Sequence, residues 1–461
     1  MAKKEIRLNA FNMNCVSHIN HGLWTHPRDR SQDYTDIAYW TDLARLLERG
    51  KFDGLFLADI VGVYDVYQGN TDLTLRETIQ LPVNDPLMLV SAMAAVTEHL
   101  GFGVTANLTY EAPFLFARRM STLDHLSRGR VGWNIVTGYL DSAARAMGLH
   151  EQLEHDQRYD RADEFMEVVY KLWEGSWEDG AVVRDRARRV YADPAKVHKI
   201  AHHGDYYHVE GIHLSEPSRQ RTPVLYQAGS SGRGQAFGAR HAECVFISSQ
   251  SKDATRKLVQ SIRDGAVREG RDPDAIKIFM GLTVVTGRTD EEARERFREY
   301  ASYASPEAGL AHFSAGTGID FSKYELDEPI RAAKTNAIES LTKVVTQPEL
   351  NWSKRKLLQQ LELGGRYASI VGAPDRIADE LESWVADTGI DGYNLTRTVT
   401  PESFEDFVNL VIPVLQERGS YKREYAQGTL REKLFQRGAA LPQEHVGAGF
   451  RAGAAVEYAR S

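Results

Sequence analysis

Eight short apolar segments, each followed by an amphipathic helical segment, place the strongest limit on how this chain of 461 residues can fold. Strict alternation of strand and helix is typical of a parallel sheet. Eight such units close into a (β/α)8 TIM barrel. The sequence therefore predicts an α/β fold of this class. The predicted strands lie near residues 6, 54, 102, 131, 224, 243, 277 and 391.

Two segments interrupt the alternation and account for a length above the roughly 250 residues of an ordinary barrel. Residues 174–222 are polar and rich in His and Tyr, and are predicted to be an insertion with short strands. Residues 306–366 mix helical and loop patterns and are interpreted as a lid. We predict a single barrel domain over residues 1–435, followed at 436–461 by a C-terminal tail that either wraps over a neighbour or stays mobile.

The composition excludes several classes of protein. Hydrophobic residues make up 42% and charged residues 26%, as in globular proteins. A net charge of −8 with both signs interspersed argues against a nucleic-acid surface. No run reaches the ~18–20 apolar residues that cross a membrane. With only Cys15 and Cys244, no disulfide framework is predicted, and a cytoplasmic location is expected.

The segment Val224–Gly234, VLYQAGSSGRG, predicts an anion site. A strand, a Gly/Ser turn and a helix start expose several backbone N–H groups to a negative ligand. Ser230 and Ser231 add hydroxyl groups, and Arg233 adds a fixed positive charge. The segment lacks the GK[ST] ending of a P-loop and does not fit the dinucleotide fingerprint. An ordinary strand-to-helix turn is the alternative interpretation.

In a barrel of this type the active site lies at the C-terminal ends of the strands. Here those ends carry hydrogen-bonding and aromatic side chains, with few carboxylates and no metal-ligand spacing. A polar rim over an apolar barrel suits a large planar ligand with one phosphate, such as a flavin mononucleotide. A histidine-rich run lacks the Cys or carboxylate that would complete a tetrahedral metal site, so a metal-dependent hydrolase is a less favoured alternative. Its members are His198, His202, His203 and His208.

Long motifs between about Leu8 and Phe435 carry a resemblance to a known family. They include NAFNMNCVSHINHGLW, LERGKFDGLFLAD, RRMSTLDHLSRGRVGWNIVT, EHDQRYDRADEFMEVVYKLWEGSWEDGAV and PVLYQAGSSGRG. The chain resembles the bacterial-luciferase-like flavin monooxygenases. Within them it is similar to the branch of nitrilotriacetate, dibenzothiophene-sulfone, dimethylsulfide and long-chain alkane monooxygenases.

The resemblance implies a TIM barrel that uses reduced FMN supplied by a separate NAD(P)H:flavin reductase. It implies activation of O2 as a flavin C4a-hydroperoxide, and a homodimer or homotetramer. The function expected on this basis is a two-component monooxygenase, with a non-catalytic flavin-binding barrel as an alternative. The residues that the family motifs place against FMN are Asp59, Thr105, Thr137, His155, Tyr159, Ser230 and Ser231.

The resemblance leaves the substrate open. Cys15, His18, Tyr64 and His312 match the substrate-site positions of the alkane enzyme. Tyr139 departs from that enzyme, which has His there, and agrees with the dimethylsulfide enzyme, which has Tyr. We therefore predict that these five residues contact the substrate or transfer protons. A small apolar or organosulfur substrate is favoured, and long-chain alkane hydroxylation is the alternative.

Overall fold

A computed structural model describes residues 4–229, 231–331, 337–347, 350–363, 365 and 367–452. Eight parallel strands form a closed barrel, because the first and last strands of the sheet order pair with each other. In space they follow the order β6-β5-β4-β3-β2-β1-β8-β7. The strands are β1 Arg7–Met13, β2 Gly54–Ala58, β3 Gly101–Asn107, β4 Val131–Val136, β5 Val224–Gln227, β6 Cys244–Ile247, β7 Lys277–Thr286 and β8 Gly392–Thr396. The predicted TIM barrel is confirmed.

A ninth parallel strand, Ala368–Gly372, was not predicted from the sequence. It pairs with the second half of β7, whereas the first half of β7 pairs with β8. The strand begins two residues after the end of the predicted insertion, and its five residues carry no clear periodicity. Its position depends on the unusual length of β7, which extends beyond the barrel wall.

The outer helices pack an apolar face on the barrel. In the first of them Asp36 accepts a hydrogen bond from the backbone N–H of Ala38 and caps the helix. The main helices are Ile37–Arg49, Leu87–Ala95, Pro113–Leu126, His155–Tyr170, Gly232–His241, Lys252–Arg268, Asp290–Tyr303 and Pro374–Thr388. The last unit runs through Glu402–Asp406, a π turn at Phe407–Val411, and Ile412–Glu417. No helix of the described residues is long and apolar enough to span a membrane.

The sequence pattern of residues 84–100 is compatible with one long helix, but the helix spans only Leu87–Ala95. The buried guanidinium of Arg130 donates hydrogen bonds to the carbonyl oxygens of Ala94, Thr97 and Leu100. These bonds satisfy carbonyl groups that would otherwise be left unpaired at a helix end. The helix therefore stops early because a side chain from the start of β4 replaces its last turn.

The two insertions adopt different structures. The first forms two antiparallel hairpins, Val182–Asp185 with Val190–Ala192 and Ile200–His203 with His208–Gly211. The second contains the helices Pro306–Thr317, Glu339–Val345 and Lys354–Gln360. We call Pro306–Thr317 the lid helix, because it lies over the barrel mouth.

The interior of the barrel is filled by large aromatic side chains. Phe11, Phe56, Tyr226 and Phe279 belong to one buried cluster that the short helix Leu430–Phe435 closes at the base. A Cβ added at Gly101 would lie 2.5 Å from a methyl group of Leu430, so the base of β3 admits this helix only without a side chain. The described part of the predicted tail, 436–452, continues from this helix and packs on the protein.

Candidate active site

A cavity of about 180 Å³ lies at the C-terminal ends of the strands, beneath the lid helix. It brings together five of the residues selected from the sequence: His18 after β1, Asp59 and Tyr64 after β2, Tyr139 after β4, and His312 on the lid helix. Much of the remaining wall is apolar. These other lining residues include Phe11, Ile19, Ile60, Phe313, Ile338, Leu341 and Leu361.

Aromatic and imidazole groups are tightly connected on one side of this cavity. The rings of Tyr64 and His312 stack with their centroids 4.9 Å apart and planes inclined by 27°. The hydroxyl of Tyr64 donates a hydrogen bond to Oε1 of Gln80 at 2.6 Å. The Nδ1 atom of His312 lies 3.0 Å from Nε2 of His21. Both His21 and Gln80 line the cavity and were missed as site residues by the sequence analysis.

Burial perturbs two titratable groups of the cavity. It raises the pKa of the Asp59 carboxyl to about 7, and the neighbouring charge of Asp85 adds to this effect against a hydrogen bond from the backbone of Ile60. Burial lowers the pKa of His21 to about 4, and the positive charge of Arg397 acts in the same direction. Near neutral pH the Asp59 carboxyl is therefore present in both its protonated and its ionised form. The His21 imidazole is neutral at the same pH.

Cys15 differs from the other four predicted substrate-site residues because it is not among those that line the cavity. Its thiol is completely buried and donates to the carbonyl oxygen of Ser17 at 3.0 Å. Burial raises the pKa of this thiol to about 12. Cys15 therefore packs as a small apolar residue behind the site.

The anion loop predicted after β5 has the expected strand, turn and helix. Ser231 caps the helix Gly232–His241, and its Oγ accepts a hydrogen bond from the backbone N–H of Gly234 at 3.1 Å. A Cβ added at Gly229 or Gly234 would lie 2.8 or 2.7 Å from the hydroxyl of Tyr159. The two glycines thus pack directly against the Tyr159 hydroxyl, and the turn has no room for side chains at these positions. Ser230 lies outside the described residues.

Arg233 does not supply the free positive charge that the sequence suggested for this loop. Its guanidinium is bound by the carboxylates of Asp160 and Asp163, at 3.0 and 2.5 Å. These acids belong to the helix that begins at His155, and sequence alone does not reveal that they face Arg233. His155 stands beside Tyr159, with ring centroids 5.3 Å apart.

The strand ends between the cavity and the anion loop carry polar groups. Thr105, on β3, accepts a hydrogen bond at Oγ1 from Nδ2 of Asn134 on β4, at 2.8 Å. The Oδ1 atom of Asn134 is buried and has no hydrogen-bond partner among the described residues. Thr137 follows β4, and its carbonyl oxygen accepts from the hydroxyl of Thr109 at 2.8 Å. In sheet order, Asp59, Thr105, Thr137 and Ser231 follow one another around the rim.

The histidine-rich run does not converge on one point. His198 contacts Glu178, His202 contacts Glu164, and His203 contacts Glu210. Within the described part of the chain, no group of three or more His, Cys, Asp or Glu side chains could hold a metal ion.

The fold and the site together define a class: a (β/α)8 barrel enzyme with a Gly/Ser turn at a helix N-terminus on its rim and a mainly apolar cavity under an inserted lid. Comparison with known proteins is consistent with this class. The model of the luciferase-like monooxygenase family matches residues 19–392. The chain therefore belongs to the luciferase-like monooxygenases, and the predicted family and enzyme class are confirmed.

Two relatives are similar over almost the whole chain. The long-chain alkane monooxygenase of Geobacillus thermodenitrificans (strain NG80-2) is 51% identical over 450 residues, which cover 97% of this chain and 98% of that enzyme. The dimethyl-sulfide monooxygenase of Hyphomicrobium sulfonivorans is 52% identical over 434 residues, covering 94% and 90%. A crystal structure of a riboflavin lyase with modified FMN and riboflavin superposes with a TM-score of 0.92, at 37% identity, and covers 97% of this chain and 100% of that one.

Proposed function

We propose that this monooxygenase uses reduced FMN and O2 to insert one oxygen atom into a small apolar or organosulfur molecule, of the kind represented by dimethyl sulfide. The observation that carries this proposal is the cavity under the lid helix, which is small and mainly apolar and has proton-bearing side chains on one side. The cofactor is FMN in its reduced form, in agreement with the relatives.

The rim fits this cofactor at both ends. The Ser231 hydroxyl, the N-terminus of its helix and the Tyr159 hydroxyl held against Gly229 and Gly234 suit the phosphate, because all of them can present hydrogen-bond donors to an anion. The unpartnered Oδ1 of Asn134 and the side chain of Asp59 suit the polar edge of the ring system. When bound, reduced FMN supplies the electrons and the position at which O2 is activated.

The size and lining of the cavity favour a small substrate. Its volume of about 180 Å³ is below the roughly 300–1,000 Å³ of pockets that hold drug-sized ligands. Phe11, Ile60, Phe313 and Leu361 offer it apolar walls. Tyr139 also favours a small substrate, because the resemblance associates a tyrosine at this position with the dimethylsulfide enzyme.

The protein contributes positioning, proton control and exclusion of water. Tyr64 and His312 hold protons beside the cavity, in an arrangement fixed by their stacking and by Gln80. The lid helix covers the cavity, and its half-buried Phe313 side chain forms part of the cavity wall. A dry site protects a reactive oxygen species from loss to water.

The partner and assembly parts of the proposal follow from the family resemblance. A separate NAD(P)H:flavin reductase delivers reduced FMN, and the enzyme assembles as a homodimer or homotetramer. The cytoplasmic location expected from the low cysteine content also remains a prediction.

The experiment that tests the proposal supplies photoreduced FMN anaerobically, so that no reductase is needed, and then admits isotopically labelled O2. Dimethyl sulfide, larger thioethers, sulfones and linear alkanes are offered separately, and products are identified by mass spectrometry. We expect one labelled oxygen atom in the product of a small thioether. Tight binding of reduced FMN with hydrogen peroxide as the only product from every substrate would contradict the proposal.

One observation favours the alternative substrate, a long-chain alkane. His312, one of the residues that match the alkane enzyme, lies in the cavity in contact with Tyr64. The alkane arm of the same experiment decides between the two. A labelled primary alcohol, without a labelled sulfoxide or cleavage product from the thioether, would select the alkane.

A further inference from the structure

The loop after β1 contacts the lid helix and the residues just before it at three points. The backbone carbonyl of His21 accepts a hydrogen bond from the N–H of Ser305, the cap of the lid helix, at 2.9 Å. Gly22 has φ +90°, and a Cβ there would lie 2.5 Å from the Ser305 nitrogen and the Tyr303 oxygen. The third point is the contact between the imidazoles of His21 and His312. The loop therefore determines where His312 sits.

His21 carries a single ring proton near neutral pH, because burial and the charge of Arg397 lower its pKa to about 4. On Nδ1 that proton would have no acceptor among the described residues. A buried N–H without a partner costs about 1–3 kcal/mol. On Nε2 the proton is donated to Nδ1 of His312, at 3.0 Å. The second arrangement is therefore preferred.

This preference has a consequence for His312. When its Nδ1 accepts from His21, a neutral His312 carries its own proton on Nε2. Its ring plane is fixed as well, because Tyr64 stacks on it at 4.9 Å and His21 meets it edge-on at 5.2 Å, with an interplanar angle of 82°. The ring is thus held with one defined tautomer and one defined orientation.

We propose that His21 is a positioning residue that fixes the tautomer of His312, so that Nε2–H is the proton that His312 offers to the reaction. His21 acts through His312. The inference rests on the proposed function in one respect, namely that His312 serves the reaction in the cavity. The tautomer itself is a property of the protein without substrate.

The first test is direct. Protein labelled with ¹⁵N-histidine gives two-bond proton–nitrogen correlation spectra in which the two neutral tautomers have different patterns. The signals of His312 are those that disappear in His312→Gln. We expect the Nε2–H pattern in the wild-type protein. An Nδ1–H pattern would overturn the proposal, whatever substrate the enzyme accepts.

The second test compares two replacements of His21. His21→Leu removes the donor at similar volume, and His21→Gln retains an amide N–H at a comparable position. We expect the leucine variant to gain the Nδ1–H pattern at His312 and to lose roughly tenfold in product formed per O2 consumed, which is less than the roughly 10²–10⁴-fold effect of a lost general acid because His312 itself remains. The glutamine variant should retain the Nε2–H pattern and most of the coupling. Equal behaviour of the two variants would overturn the proposal.

A neighbouring histidine controls for simple disruption of the loop. His26 is equally buried, binds Glu299 through Nε2 at 3.2 Å, and packs on Tyr303. His26→Leu should lower the thermal midpoint without changing the tautomer of His312 or the coupling. A change of tautomer in this variant would show that loop stability, rather than the His21 proton, sets the state of His312.

Discussion

Arg431 and Glu243 form a buried bidentate ion pair below the barrel, in which Nε and Nη2 of the arginine donate to the two carboxylate oxygens at 2.7 and 2.8 Å. Further donors of the guanidinium reach backbone carbonyls of Gln220, Thr222 and Ala439. Glu243 also accepts from the N–H of Leu225 on β5. A segment close to the C-terminus thereby closes the N-terminal end of the barrel.

Removing this arginine should destabilise the fold. Arg431→Leu leaves the Glu243 carboxylate buried without its partner, and we expect the free energy of unfolding to fall by about 3–5 kcal/mol. Urea denaturation measures the change. Arg437→Leu is the matched control, because Arg437 is 43% exposed in its pair with Glu444 and should cost at most about 1 kcal/mol. Similar losses in both variants would contradict the structural role of Arg431.

The phosphate site proposed at the turn after β5 gives a prediction with an internal control. In Gly234→Ala the new methyl group would lie 2.7 Å from the Tyr159 hydroxyl and 3.0 Å from Oγ of Ser231. We expect the affinity for reduced FMN to fall about tenfold, a loss of roughly 1.4 kcal/mol, in anaerobic fluorescence titrations. Gly232→Ala meets no atom within 4 Å in the same helix and should bind as the wild type does. Unchanged affinity in Gly234→Ala would place the phosphate elsewhere.

Asp59 should make stability depend on pH. Its pKa is raised to about 7 in the folded protein, whereas in the unfolded chain it is about 4. Between these values the folded state binds more protons, so the stabilising contribution is complete below about pH 4 and is lost as the pH rises through about 7. We expect Asp59→Asn to reduce the change of the unfolding free energy with pH across this window, by about a few kcal/mol at most.

Urea denaturation at several pH values measures this effect. Asp42→Asn serves as a control, because the Asp42 side chain is 70% exposed. In that variant the free energy of unfolding should depend on pH as it does in the wild type. If the pH dependence were also unchanged in Asp59→Asn, Asp59 would ionise in the folded protein as it does in the unfolded chain.

The size of the cavity should set the choice of substrate. Phe313 lines the cavity from the lid helix and stacks on Phe321 at 5.8 Å. Phe313→Ala enlarges the space, and we expect the ratio of kcat/KM for longer to shorter thioethers to rise about tenfold, as small changes in pocket volume do. Phe114→Ala, a partly buried residue outside the cavity, should leave the ratio unchanged. An unchanged ratio in Phe313→Ala would mean that substrate binds away from the lid.

Local patterns were sufficient for most of the barrel. All eight strands were predicted, because each combines an apolar run with a following amphipathic helix, and both signals lie within a few residues. The strand Ala368–Gly372 and the early end of the helix Leu87–Ala95 were not predicted. Both depend on distant partners: the extension of β7 in one case and the guanidinium of Arg130 in the other.

By itself, the sequence determined the class of fold, the family, and a Gly/Ser turn flanked by a strand and a helix, since these depend on order along the chain. Only the tertiary structure decided which side chains meet. In the folded protein His21 contacts His312, and Arg233 is bound by two carboxylates. Arg431 forms its ion pair with Glu243 below the barrel. Such pairings join residues far apart in sequence, so they follow from the packing of the whole chain and leave no local pattern to read.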